Sequence, residues 1–111
     1  MRLFTKEELF NKHGKGIMYF SNAKGNTELE KYKNSFIRSD DDIEYTIQGK
    51  NELLTCIVRY NQTSHGGEGD GYYALVFNSL GELILDSFPG YILYDETIDS
   101  VKEFLGDEGL I

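Results

Sequence analysis

Tryptophan is absent from this chain, and cysteine and proline occur once each, as Cys56 and Pro89. A lone cysteine excludes an internal disulfide and fits a reducing compartment. Long apolar runs are missing too: stretches such as Tyr72–Phe77 fall far short of the roughly 20 residues a membrane helix needs. The opening Met1-Arg2-Leu3-Phe4-Thr5-Lys6 meets Glu7 and Glu8 at once, without the apolar stretch of a secretory signal. These absences predict a soluble, cytoplasmic protein. The most telling shortage is of positive charge. Residues 1–59 hold ten Lys/Arg against nine Asp/Glu, a balance of +1. From Tyr60 onward there are ten acids and one base, Lys102, a balance of −9 that accounts for the net charge of −8. A half-chain of one sign repels nucleic acid and anionic membrane surfaces and steers encounters with a basic partner.

What is present is ordinary for a globular protein: 40% hydrophobic, 14% aromatic and 27% charged residues in a chain of 111. That length suits one domain, residues 1–111, which buries roughly two-thirds of its unfolded surface without staples. Thr5-Lys6-Glu7-Glu8 has the form of a capping box and predicts a short helix ending near Gly14. The run Gly16-Ile17-Met18-Tyr19-Phe20 predicts a strand by its length. A second capping pattern, Thr27-Glu28-Leu29-Glu30, precedes Leu29, Tyr32, Phe36 and Ile37, one stripe of an amphipathic helix.

Ile43, Tyr45 and Ile47 alternate with Glu44, Thr46 and Gln48, the period of a half-buried strand. Gly49-Lys50-Asn51 predicts a turn, with Leu53–Tyr60 returning antiparallel. After the glycine-rich segment Ser64–Gly71, Tyr72–Phe77 and Glu82–Phe88 predict a second hairpin about Asn78-Ser79-Leu80-Gly81. Tyr91–Tyr94 suits a short strand. Asp95 is placed to cap a last helix with Ile98, Val101 and Leu105 inward and Gly106 at its end. The expected fold is α+β: an antiparallel sheet of four to five strands with two or three helices packed on one side.

No cofactor or metal signature emerges. Gly67-x-Gly69-x-Gly71 has no following helix and no Lys-Ser/Thr, and Glu68 and Asp70 would repel a pyrophosphate. His65, Glu68 and Asp70 are acceptable ligand types, but a loop rich in glycine holds them loosely, and a solvated connector explains them better. Asp40-Asp41-Asp42 lacks the alternation, central glycine and closing glutamate of an EF-hand loop. Cys56, mid-strand, reads as a small buried hydrophobe. Glu82 and Asp86, four apart, would share a strand face with Ile84, and a solvated face explains them better than an acid/base pair does.

The acids of the second half are more numerous than helix caps require. Asp95, Glu96 and Asp99 suit a helix N-terminus, whereas Asp107, Glu108, Glu68, Asp70, Glu82 and Asp86 have no such explanation. Tyrosines among them (Tyr72 or Tyr73, Tyr91, Tyr94) offer interface anchors. Strand alternation turns one of each adjacent pair inward.

The segments Gly69-Asp70-Gly71-Tyr72-Tyr73-Ala74-Leu75-Val76-Phe77, Gly81-Glu82-Leu83-Ile84 and Asp99-Ser100-Val101-Lys102-Glu103-Phe104-Leu105 resemble the C-terminal half of the SUKH superfamily, immunity proteins of bacterial polymorphic-toxin systems. The resemblance spans about residues 66–105, and the early proline-and-tyrosine segment of that family has no counterpart here. It implies a small acidic protein that neutralises a toxin, often a basic nuclease, by binding it.

The sequence therefore predicts a non-enzymatic immunity or antitoxin protein without cofactor, its partner a basic toxin domain. The expected contact residues are Glu68, Asp70, Glu82, Asp86, Asp95 and Asp99, with Tyr72 and Tyr91 as anchors. The alternatives are a phage-type anti-defence inhibitor that mimics nucleic-acid charge, and a small enzyme using His65 with Glu68 or Asp70.

Overall fold

The computed structural model describes residues 23–35, 38–61, 71–87 and 93–111. The predicted first helix, the strand at 16–20 and the glycine-rich loop lie outside these residues, as do Phe36 and Ile37. In chain order the described elements are α1 (Glu28–Lys33), β1 (Ile43–Gln48), β2 (Leu53–Asn61), β3 (Gly71–Phe77), β4 (Leu83–Asp86) and α2 (Ile98–Asp107). The four strands form one antiparallel meander in the order β1-β2-β3-β4, the α+β arrangement that the strand patterns predict.

Hairpin chemistry sets the register. The N–H of Gly49 donates to the Glu52 carbonyl (2.8 Å) and closes the β1–β2 turn. In the β3–β4 turn Gly81 donates to the Asn78 carbonyl (2.9 Å), and the Asn78 side chain accepts from the N–H groups of Leu80 and Glu82. Gly81 has φ +77°, a left-handed position that glycine occupies without the Cβ penalty. Glu52 joins the two turns by accepting from the N–H and hydroxyl of Ser79 at 2.9 and 2.7 Å.

Alternation then sorts the side chains onto two faces. Leu54, Cys56, Val58, Ala74 and Val76 pack with Val101, Phe104 and Leu105 of α2. Ile57, Leu75, Phe77 and Leu83 pack with Tyr32 and Leu29 of α1. The two described helices thus cover opposite faces instead of one side, because β2 and β3 are apolar at successive positions and leave both faces to bury. Each fully buried Leu, Phe or Val contributes about 1.5–3 kcal/mol.

A bulge interrupts the β3–β4 ladder: Val76 pairs with Leu85 and Phe77 with Leu83, which leaves Ile84 extra. Glu82 and Asp86 consequently do not share a face with Ile84. Glu82 is exposed in the turn, whereas Asp86 lies buried opposite Leu75.

Both described helices use hydroxyl caps. Thr27 accepts from the N–H of Glu30, and Glu30 reaches back to the N–H of Asn26 (2.8 Å), one residue earlier than a capping box requires. α1 is only six residues long and ends at Asn34. In α2 the cap is Thr97 rather than Asp95, and Ile98 is 39% exposed rather than inward. Phe104 takes the inward place. Gly106 sits within the helix, whose C-cap is Glu108, followed by Gly109 at φ +75°. There Leu110 donates to Leu105 and Gly109 to Gly106, a Schellman closure.

Candidate functional site

Tyr60 and Tyr72 face each other across β2 and β3. Their rings meet edge to face at 5.1 Å and 63°. They stand at the end of the sheet away from the hairpin turns, on the face that α2 covers. Tyr73, next in the chain, is buried on the opposite face, the alternation expected for an adjacent pair.

The approach to α2 crosses this end of the sheet. Leu93 bridges Tyr72, donating to its carbonyl at 2.8 Å, and its side chain enters the core. Tyr94 then turns outward and is 90% exposed. Tyr45 of β1 donates its hydroxyl to the Glu96 carbonyl at 2.8 Å. The negative charge of Glu96 is the main reason the Tyr72 phenol is held above the ordinary tyrosine range. Tyr45 of β1 therefore fixes the backbone of Glu96.

Asp95 is occupied differently. One carboxylate oxygen accepts from the Ser100 hydroxyl (2.6 Å) and from the hydroxyl and N–H of Thr97 (2.5 and 2.8 Å). These bonds, Ser100's first, hold its carboxyl below the usual range. Asp99 follows, exposed in the first turn of α2.

Of the residues the sequence nominated, the structure thus groups Tyr72, Asp95 and Asp99. Glu82 sits at the other end of β3, where Asn78 donates to it at 3.0 Å; a strand of this length spans about 20 Å. Asp86 is only 7% exposed. Glu68, Asp70 and Tyr91 lie outside the described residues. Tyr60, Tyr45 and Glu96 were not nominated as contacts. Tyr60 becomes visible only through its cross-strand pairing with Tyr72, and the connector between β2 and β3 hides that register from the sequence.

A second polar cluster lies on the α1 face. Tyr32 is fully buried and donates its hydroxyl to Asp42 (2.5 Å), which also accepts from the N–H of Ser39 (3.1 Å). Arg59 pairs with Asp42 through Nε (3.3 Å), its guanidinium carbon 5.7 Å from the Tyr32 ring centre. Burial and the bond to Asp42 hold the Tyr32 phenol well above its ordinary range. A cavity of about 160 Å³ adjoins this cluster, lined by Tyr32, Lys33, Arg38, Asp42, Glu44 and Ile57. Its charges are paired within the molecule, Lys33 with Glu44 (2.9 Å) and Arg38 with Asp40 (3.6 Å).

Among the described residues, no three His, Cys, Asp or Glu side chains are grouped to hold a metal ion, and no helix is long and apolar enough to cross a membrane. Comparison of the chain with protein-family models, with curated proteins and with solved structures finds no match.

Proposed function

We propose that this protein is a non-enzymatic binder that neutralises a basic protein, as an immunity protein neutralises its toxin. The observation that carries this reading is the tyrosine-and-acid edge at the start of α2. Tyr60 is 54% exposed and Tyr94 almost wholly so, giving rigid contact area at low entropic cost. Glu96 and Asp99 follow Tyr94 in the chain, both exposed at the start of α2, and the described ion pairs leave both acids out. Aromatic anchors rimmed by charge of one sign suit a partner of the opposite charge.

The charge split supports the same kind of partner, as does the resemblance to SUKH immunity proteins. A duplex mimic would need carboxylates spaced along one line at roughly phosphate intervals. The described acids are divided between two ends of the sheet and one buried position, so we favour the toxin-binding reading.

The test is rescue with co-purification. The C-terminal domain of the upstream neighbouring gene product is expressed with and without the protein. Death alone, survival together and a recoverable complex are expected; a domain that stays toxic despite co-expression and forms no complex rejects the reading.

A further inference from the structure

One-electron oxidants find few targets in this chain besides tyrosine. Tryptophan, the other aromatic that gives up an electron readily, is absent, and the lone thiol of Cys56 is wholly buried. Tyrosine occurs eight times. Along the described strands, only Tyr60 and Tyr72 place two tyrosines opposite each other across a ladder. Directly opposed residues share a face of the sheet, and these two rings are in contact, their centres 5.1 Å apart and their planes at 63°. Tyr60 is half-exposed, so an oxidant in solvent reaches the pair. The other described tyrosines are placed differently. Tyr32 and Tyr73 are buried, Tyr45 is opposite Cys56 in the β1–β2 ladder, and Tyr94 stands out in solvent.

We propose that Tyr60 and Tyr72 form a site of oxidative modification, joined by a carbon–carbon bond between their rings when the protein meets peroxide and a one-electron catalyst of the haem-peroxidase class. Each phenol gives one electron to the oxidant and its hydroxyl proton to water. The resulting phenoxyl radical shares its unpaired spin with the carbons ortho to the oxygen, and the two radicals combine at those carbons. Each ring then loses its ortho hydrogen as a proton while the oxygen regains one, which restores both phenols. In sum, two ring hydrogens leave as protons and electrons, and one peroxide takes them up to become two waters. The contact geometry suits this bond. Rings joined by a single bond twist out of a common plane because their ortho substituents collide, and the two planes are already inclined at 63°. Coupling draws the ring centres together by less than an ångström, a shift that small side-chain rotations supply. The product straps β2 to β3 at the end of the sheet away from the hairpin turns. Like other cross-links, it removes conformations from the unfolded chain. The site is independent of what the protein binds.

The experiment treats the full chain, at low micromolar concentration, with hydrogen peroxide and a haem peroxidase. The product is then denatured and cleaved after Glu68, which separates Tyr60 from Tyr72 in sequence. A single chain lighter by two hydrogens is expected, its two peptides still joined, with a dityrosine fluorescence that no tryptophan obscures. Tyr60→Phe and Tyr72→Phe keep the packed rings and should each abolish the intrachain link, whereas Tyr94→Phe should leave it unchanged. Oxidation in urea should reduce the link several-fold, because the strand pairing is then lost. The linked chain should unfold at a higher urea concentration than the untreated one. A link that survives Tyr60→Phe or Tyr72→Phe, or forms as readily in urea, overturns the site. So does coupling mainly between separate chains, or the absence of any link.

Discussion

Gly81 and Thr27 stand so close that a Cβ at residue 81 would lie 2.7 Å from the Thr27 Cβ. The contact joins the β3–β4 turn to the cap of α1, and the Gly81 carbonyl accepts from the N–H of Leu29 at 2.9 Å. Gly81→Ala meets this clash as well as the strain of a left-handed φ. We expect a loss of about 2–3 kcal/mol in urea denaturation, with α1 loosened first. A midpoint unchanged from the parent would show that the turn relaxes freely.

Tyr32 ties the other side of α1 to the sheet. Tyr32→Phe removes the hydroxyl from Asp42 but leaves Arg59 and Ser39 on the carboxylate, so the expected cost is about 2 kcal/mol at neutral pH. The phenol is raised in the folded protein. Its contribution is therefore complete below the ordinary tyrosine value near 10 and declines as pH rises above it. Denaturation of the parent at pH 8, 10 and 11 should lose stability faster than that of the variant.

Cys56 is wholly buried, and burial pushes its thiol up to about 12. The unfolded thiol loses its proton near 8.5. Between those values the folded chain holds a proton that the unfolded chain has released, so stability falls as pH climbs. Cys56→Ala should flatten that slope between pH 8.5 and 10. A disulfide reagent should leave the folded thiol untouched and modify it rapidly in denaturant; rapid labelling of the folded protein contradicts the burial.

Asp95 works in the opposite sense. Its carboxyl is lowered by the bonds from Ser100 and Thr97. The stabilisation is thus present above its ordinary value near 3.9 and is lost as pH drops through the lower folded value. Asp95→Ala should reduce the melting temperature at pH 7 and converge with the parent in strong acid. Carbon-detected titration should find the Asp95 carboxyl protonating below the usual aspartate range.

Association should depend on Glu96 and Asp99 more than on Asp95, which is committed to its own loop. Glu96→Lys with Asp99→Lys is expected to slow binding to a basic toxin domain several-fold at low salt, with the difference shrinking above about 0.5 M salt as the charges are screened. Stopped-flow association rates decide; equal rates at low salt reject steering by these acids.

Much of the architecture is legible in the residues themselves. Alternation in Ile43–Gln48 marks β1 with its observed limits, and Leu53–Tyr60 and Tyr72–Phe77 each miss one residue of their strands. Period alone could not say that both faces of β2 and β3 would be covered, because continuous apolar runs carry no sidedness. Asp95 and Thr97 are both good capping residues, and only backbone geometry selects Thr97 as the cap of α2. The edge-on contact of Tyr60 with Tyr72 depends on register across a long connector, which local pattern does not encode.

The covering of the sheet by α2 has a consequence for how the protein is made. All four described strands precede that helix in the chain, and each pairs with its successor, so the meander can close while synthesis continues. Cys56, Val58, Ala74 and Val76 nevertheless wait for Val101, Phe104 and Leu105 to leave the ribosome. A nascent chain paused before Ile98 presents a nearly finished sheet with one apolar side uncovered by α2, the form in which trigger-type chaperones have most to hold.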